Sequence, residues 1–581
     1  MAYPILAPNS TWYKSTQARS TITEINVVDS YTPTSYDEVW NADVNNSGSI
    51  KCYRTGTVIT MAGNGSGKIA MNADSSFAFA LSGGTGFTNL TKITSAGLFD
   101  TSNVTTMSRM FQKAGKLIEV DVSNWDTSKV EIMANLFDRT GLTAVAIDNW
   151  DVSNVREMNA MFQSCTSLQS LNVSTWDVGR VTTMRNMFNG CQSLNSLDVS
   201  NWNVGNVTNM HQMFWSCDSL TTLDVSNWDT GKVTDMFCMF ESCRALTTLG
   251  VSNVSNWDVS HVTNMTALFH NCERLAALDV SNWDVGNVTD MRSMFSMSNY
   301  GAEKSALTSL DVSNWNVSKC TDMGWMFYGC NGIDELDVSK WDVSNVDSLH
   351  HFIAHSYITL NGLENWRPSK CRAFNAALYS AQNKTLDLSG WDVSNGITFS
   401  QMFEGSAVEE IIGLENWNTS NGGSFSEMFL NCSKLRKLDL SSFNTHNAST
   451  SWTDEWRDNT EHGDMDYMFT GMSRLEKITF GENFSFNGDG TCTAAVLPTP
   501  DATYITGADG NWYDLDGDAF APADIPTTTA ATYYASKDVC DVNYSINHMT
   551  LIDLAKAVRA VTGSTEKLTP GEMATALNSM T

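Results

Sequence analysis

The chain has 581 residues, with 64 acidic against 35 basic side chains and a formal net charge of −29. A surface that negative repels phosphate backbones and anionic headgroups, which argues against nucleic-acid binding and membrane-surface binding, and no apolar run approaches the ~20 residues that span a bilayer. Hydrophobic residues make up 42%, including 19 Trp, 26 Phe and 28 Met, enough for a large core and too many for a disordered chain.

Residues 1–10 (MAYPILAPNS) have neither a charged n-region nor an apolar h-region, so a protein made in the cytoplasm without a secretory signal is expected. Residues 1–95, with alternating Thr- and Gly-rich stretches at 56–62 and 68–72, predict a β-rich N-terminal cap. Within it, residues 63–68 (GNGSGK) resemble a phosphate loop only superficially. Ala62 and Ile69 stand where that motif needs Gly and Ser or Thr, so a hairpin turn is the expectation.

From about residue 96 to about residue 480 one pattern recurs, close to LxxLDVSNWDVSNVTNMxxMFxxCxS. Its first aromatic column is Phe99, Trp125, Trp150, Trp176, Trp202, Trp228, Trp257, Trp283, Trp315, Trp341, Trp366, Trp391, Trp417 and Phe443, at spacings of 25 or 26 except 29 before Trp257 and 32 before Trp315. A second column runs from Phe111 through Phe137, Phe214, Phe327, Phe352 and Leu378 to Phe469, giving fourteen units. A single period held that long predicts a solenoid rather than several globular domains. Within one unit, Leu220, Leu223 and Val225 follow LxxLxL spacing, which suits a short strand. Val207, Met210, Phe214 and Cys217 fall at i, i+3, i+7 and i+10, a helical stripe. The expected fold is therefore an α/β solenoid of leucine-rich-repeat type, its strand–helix units forming one parallel sheet of very roughly 65 Å. Trp stands where that plan usually has Asn or Cys.

The run LDVSNWDVGNVTDMRSMF at residues 278–295 and its relatives resemble the BspA-like leucine-rich-repeat surface proteins. That resemblance implies a recognition scaffold associated with cell-surface adhesion and names no ligand.

His351 and His355 have zinc-ligand spacing and His350 precedes them, but Phe, Ile and Ala intervene where a metalloprotease has its glutamate. A core histidine pair is expected, His351 in the Met column and His355 in the Cys column, and no metal. Cys165, Cys191, Cys217, Cys243, Cys272, Cys330 and Cys432 all follow the column Phe by three, so free, inward thiols are expected. Outward strand positions form an Asp column (Asp121, Asp198, Asp224, Asp279, Asp311, Asp337, Asp387, Asp439) beside a Ser column. Such a column would recruit cations or offer acceptors to sugar hydroxyls or a basic partner. No isolated carboxylate pair suggests a glycosidase.

Departures from the repeat are the other candidates. One insertion at 296–306 adds six residues including Tyr300, and a second, between Phe429 and Phe469, adds fourteen including Trp452, Trp456 and Arg457. Trp215, Phe237, Trp325 and Tyr328 occupy outward positions beside the second column. The candidate binding residues are thus Trp452, Trp456, Arg457, Tyr300, Trp215, Trp325, Tyr328, Asp224, Asp279 and Asp311. Residues 481–545 predict a small β or irregular module, in which 514–518 (DLDGD) lacks the terminal Glu of a calcium loop. Residues 546–581 predict a helix–turn–helix tail that resembles modules of phage tail- and baseplate-associated proteins.

Together these point to a non-enzymatic phage virion protein, a tail-fibre, receptor-binding or attachment protein on an extracellular particle assembled in the host cytoplasm. Its partners would be a bacterial surface glycan or protein receptor and other virion proteins, a homo-oligomer being compatible with it, with no cofactor, nucleic acid or membrane insertion. The alternative is a secreted bacterial cell-surface adhesin of BspA type.

Overall fold

The computed structural model describes residues 3–80, 86–250, 254–298, 304–450, 465–526 and 530–538. The chain divides into two units, Met1–Ser348 with Phe352–Gly362, and Leu349–His351 with Leu363–Thr581.

The first unit opens on a six-stranded sheet. Glu24–Val28 pairs in parallel with Val58–Ala62 on one side and Lys92–Thr94 on the other, and Lys92–Thr94 pairs with Glu119–Val120 of the repeats. Glu38–Asn41 and Lys51–Thr55 add antiparallel strands at the far edge. Residues 63–68 do not close a hairpin. They carry the chain from Val58–Ala62 to Ile69–Ala70, which pairs in another sheet with Phe99–Asp100, and the crossing is pinned by Asp29, whose Oδ1 accepts from Gly67 N–H at 2.7 Å.

In the repeats the expected strand–helix unit is only half present. Strands are short: Glu335–Asp337 pairs with Thr359–Asn361 in the first unit. In the second, Thr385–Asp387 pairs with Glu410–Ile412 and Lys437–Leu440 with Lys477–Phe480. Elsewhere the strand positions meet in single bridges such as Ser170↔Ser196 and Thr222↔Thr248, so one continuous parallel sheet does not form among the described residues.

The predicted helix is absent from the described residues of the repeats. Two residues per coil, two before and two after the column Phe, have left-handed backbone, for example Asn135 (φ 59°) with Arg139 (φ 57°), and Gln212 (φ 53°) with Ser216 (φ 54°). Alternating handedness turns every second amide out of the segment. The N–H groups of Met210, Gln212, Phe214 and Ser216 donate to the carbonyls of Asp235, Phe237, Met239 and Glu241 in the next coil at 2.8–3.0 Å. The amides between them close tight turns, Met213 on Met210 (3.1 Å) and Cys217 on Phe214 (3.1 Å). The Met, Phe and Cys side chains still point inward, which is why their spacing imitates a helical stripe. Each non-glycine left-handed residue costs about 1–2 kcal/mol, and the inter-coil hydrogen bonds and the stacking beneath offset that cost.

Beneath the turns lie two aromatic ladders. Indoles stack face to face, Trp202–Trp228 at 6.4 Å and Trp315–Trp341 at 6.3 Å, and the longer spacings do not break the ladder, since Trp228–Trp257 and Trp283–Trp315 also stack at 6.4 Å. Phenyl rings stack at 5.6 Å from Phe188 through Phe214, Phe240 and Phe269. The indoles are also hydrogen-bonded. Trp202 Nε1 donates to Val173 O (3.1 Å), Trp228 to Val199 O (3.2 Å) and Trp315 to Val280 O (3.0 Å), each a carbonyl of the preceding coil, whereas the buried Trp417 Nε1 makes no such bond. This is what Trp supplies in place of Asn: a buried donor for a backbone carbonyl together with a large apolar surface.

The thiols complete the interior. Cys191 and Cys217 Sγ donate to Phe162 O (3.2 Å) and Phe188 O (3.3 Å), and every cysteine among the described residues is free and buried. Burial pushes the Cys165 thiol up to about 11 and Cys243 and Cys432 up to about 12, so these groups stay protonated and inert. The second column also needs one correction. Phe327 and Phe352 meet edge-on at 80° instead of stacking, and left-handed His351 and His355 flank Ile353, so Ile353 is the column residue and Phe352 holds the Met position. His351 and His355 therefore lie outside the Met and Cys columns and are partly exposed, while His350 is buried.

In the second unit the strand Lys477–Phe480 is covered by antiparallel Ala531–Tyr534, which also meets Trp512–Tyr513. Residues 514–518 turn between Trp512–Tyr513 and Ala519–Phe520, with Asp514 Oδ1 accepting from Asp516 N (3.0 Å) and Asp518 N (2.9 Å). The tail at 546–581 lies outside the described residues. Among those described, no helix is long and apolar enough to cross a membrane.

Two substitutions test this packing. Arg139→Gly is expected to melt higher than Arg139→Ala, because glycine relieves the left-handed strain; a helix at this position would reverse the order by about 1 kcal/mol. Trp202→Phe, which strands the Val173 carbonyl and opens space, is expected to destabilise by about 2–4 kcal/mol in denaturant titrations.

Candidate recognition surfaces

The strand side carries the Asp column, and its carboxylates are engaged by their own turns. Asp224, Asp279 and Asp311 each use Oδ1 to accept the backbone N–H (3.1, 3.2 and 3.0 Å) and the hydroxyl (2.7 Å in all three) of the Ser two residues on. The hydroxyl and then the amide of Ser123 hold Asp121 below the usual carboxylate range, and Ser339 and Ser389 do the same for Asp337 and Asp387. Among the described residues no group of three or more His, Cys, Asp or Glu is placed to hold a metal ion. One oxygen of each pair is committed to closing a corner.

The column is interrupted at several coils, by Asn361 opposite Asp337 and Ile412 opposite Asp387 among others, and by Gly250 opposite Asp224. Gly250 stands where the next coil would place its Asp, and a Cβ there would lie 2.1 Å from Asp224 Oδ1. Asp224 is accordingly half-buried, at the wall of a hollow of about 430 Å³ lined by Asn172, Asp198, Asp224, Thr248 and Gly250. Asp279 and Asp311 remain exposed beside a second hollow of about 550 Å³ with Asp334, Glu335 and Asp337.

The turn side differs in kind. Each coil presents four outward positions there, two before and two after the Met–Phe pair, and successive coils fill them differently. Trp215, Phe237, Trp325 and Tyr328 all lie on this side and are partly exposed. Trp325 adopts φ 54°, an unfavourable backbone for so large a side chain, and Tyr328 meets His355 edge-on at 5.3 Å. His211 stacks on Phe237 at 4.7 Å, with its Nδ1 3.2 Å from Asp235 Oδ2, which also accepts from Asn209 Nδ2 at 3.2 Å. Burial alone would raise the Asp235 carboxyl, but the hydrogen bonds from His211 and Phe237 N–H outweigh it and hold the group below its ordinary value.

Sequence reasoning singled out the aromatics and missed their neighbours. His211, Asn186 and Asn189 belong to the same patch as Trp215, and the only signal for them was that they differ from adjacent coils at the same register. Tyr300, Trp452, Trp456 and Arg457 lie outside the described residues.

A second group was also missed. Glu404 and Glu427 lie on the turn side of consecutive coils in the second unit, with Gln401 Nε2 donating to Glu427 Oε2 at 2.8 Å. Burial, then the charge of Glu427, raises the Glu404 carboxyl to about 7.

The family model that matches the chain carries the description "Mycoplasma protein of unknown function, DUF285", and it matches five times, over residues 85–172, 138–252, 244–357, 296–412 and 351–477. The chain belongs to the DUF285 family. The matched DUF285 segments span the region of the repeats and agree with their likeness to BspA-like surface proteins; none reaches residues 546–581. No curated protein matches the chain. A solved leucine-rich-repeat protein of Leptospira interrogans is 8% identical over 61% of this chain and 73% of its own length, with a TM-score of 0.14, and at that superposition nothing about this chain follows from it.

Because the Glu404 carboxyl is raised from its ordinary 4.5 to about 7, its contribution to stability is fully present below about pH 4.5 and is lost as pH rises through about 7. Glu404→Gln is therefore expected to raise the melting temperature relative to the parent at about pH 8 and to leave it nearly unchanged at about pH 4. An equal shift at both would contradict the assignment.

Proposed function

We propose that the chain is a non-enzymatic, repeat-based surface protein that binds a partner macromolecule, the BspA-type adhesin reading rather than the virion reading. Membership of the DUF285 family supports it across residues 85–477. The virion reading drew on residues 546–581 and on the chain's first residues, and the family match extends to neither.

The observation that carries the proposal is the division of labour within a coil. Inward positions repeat as Trp, Met, Phe and Cys, and the Asp and Ser of the strand side repeat because they close turns. The four outward turn positions vary from coil to coil on a backbone fixed by inter-coil hydrogen bonds. A rigid frame with freely varied side chains is suited to recognition. The role assigns no catalytic residue and no cofactor. Its partners are a surface glycan or a protein receptor, and its location is the cell surface.

The test is binding of fluorescently labelled full-length protein to intact bacterial and host cells. Saturable binding that falls at least about tenfold when His211, Trp215 and Phe237 are replaced together by Ser is the expected result. Binding that is unsaturable, or that persists unchanged in the triple variant but disappears when the strand-side Asp residues are neutralised, would move recognition to the other face.

A further inference from the structure

The strand side of the second unit carries a hollow of about 570 Å³ in which four basic side chains meet three acidic ones. Consecutive coils line it in pairs, Glu409–Glu410, then Arg436–Lys437, then Glu476–Lys477, with Lys384 on the coil before. Backbone hydrogen bonds fix that order: Glu409 N–H donates to Lys384 O (2.8 Å), Arg436 N–H to Glu409 O (3.4 Å) and Glu476 N–H to Arg436 O (2.8 Å). The hollows beside Asp224 and Asp311 have no basic side chain in their walls, so this one differs in kind.

Lys437 and Lys477 are direct partners in adjacent parallel strands, about 4.8 Å apart along the backbone. Like charges so placed are destabilising. In the other paired strands of the described residues, charged partners are opposite in sign: Glu24 with Lys92, Lys92 with Glu119, and Glu38 with Arg54. The Asp column also sets like charges side by side, but its carboxylates close turns; the lysines have no such duty. Nor are they neutralised. Among the residues lining the hollow the only ion pair is Arg436–Glu476, at 2.6 Å. Lys477 Nζ lies 5.7 Å from the centre of the Tyr534 ring, which steadies the ammonium and leaves its charge. Glu409 and Glu410 are exposed and also outside any ion pair.

Unpaired charges of both signs in one hollow narrow the ligand. A polyanion sets its further charges against Glu409 and Glu410, and a polycation sets its own against the lysines. A zwitterion meets both sets at once. A phosphate ester presents several oxygens to two ammonium groups, and a primary amine a few bonds away donates to the glutamates, which a quaternary amine cannot do.

We propose that this hollow binds an aminoalkyl phosphate group, with the phosphate between Lys437 and Lys477 and the ammonium on Glu409 and Glu410. Lipid headgroups and glycans both bear such groups. The site goes beyond the recognition reading, which rests on the turn side.

The test is calorimetry of the full chain at low ionic strength with phosphorylethanolamine, inorganic phosphate, ethanolamine and a heparin oligosaccharide. The expected result is saturable binding of phosphorylethanolamine, about threefold or more tighter than any of the other three. Lys437→Gln and Lys477→Gln should each weaken it about fivefold or more, and Glu410→Gln about threefold without weakening inorganic phosphate, while Lys129→Gln changes nothing. In thermal melts without ligand, Lys437→Gln should stay close to the parent, since the fold does not require the charge. The proposal is overturned if phosphorylethanolamine does not bind, if phosphate or heparin binds as tightly, if Lys437→Gln binds like the parent, or if that variant melts several degrees lower. Saturable capture of the full chain by phosphatidylethanolamine vesicles, or by a glycan carrying phosphorylethanolamine, identifies the bearer; capture by neither also overturns it. Because the turn-side triple variant leaves this hollow intact, the cell-binding test and this one fail independently.

Discussion

The structure depends on amides that leave their own coil. In the repeats, alternate N–H groups of the Met–Phe segment donate to the next coil, at 2.8–3.0 Å in the Met210–Ser216 segment, from a backbone that alternates between right- and left-handed turns. A helix would keep those bonds within the segment and leave neighbouring coils joined on this side by side chains alone. Here the backbone itself sets register, and everything else inherits it: indoles and phenyl rings stack because their coils cannot slip, and thiols meet the carbonyl of the preceding column Phe.

Register of this kind also changes the meaning of the charge. Many acidic residues close corners. Asp224 caps Ser226, Asp229 caps Gly231 and Asp235 caps Phe237, so one coil carries three such turns, and the pattern repeats with Asp or Asn along the stack. Much of the net charge is then a by-product of how the coil bends. It shapes what the surface repels more than what it binds, and leaves recognition to positions free of structural duty.

The period, the inward columns and the free thiols were legible because they follow from side-chain type at fixed spacing. Handedness was not. Val207, Met210, Phe214 and Cys217 satisfy a helical stripe as well as they satisfy the turn ladder, and nothing in Gln212 or Ser216 announces a positive φ. One further cue misled: Phe352 fits the Phe column by residue type, but the backbone assigns that place to Ile353, one position on. At the surface, Trp215 was legible as an aromatic out of column. The pairing of Lys437 with Lys477 was not, since the long insertion between them hides a register that exists only once coils are stacked.

The central claim, that an inter-coil turn ladder replaces the helix of a strand–helix repeat, is tested most directly by hydrogen exchange on the full-length protein. In the Met210–Ser216 segment the account predicts that Met210, Gln212, Phe214 and Ser216 exchange slowly, only when neighbouring coils separate, and that far-ultraviolet circular dichroism shows no substantial α-helical signal from the repeats. A strong helical spectrum, with protection spread evenly over every amide of that segment, would contradict it.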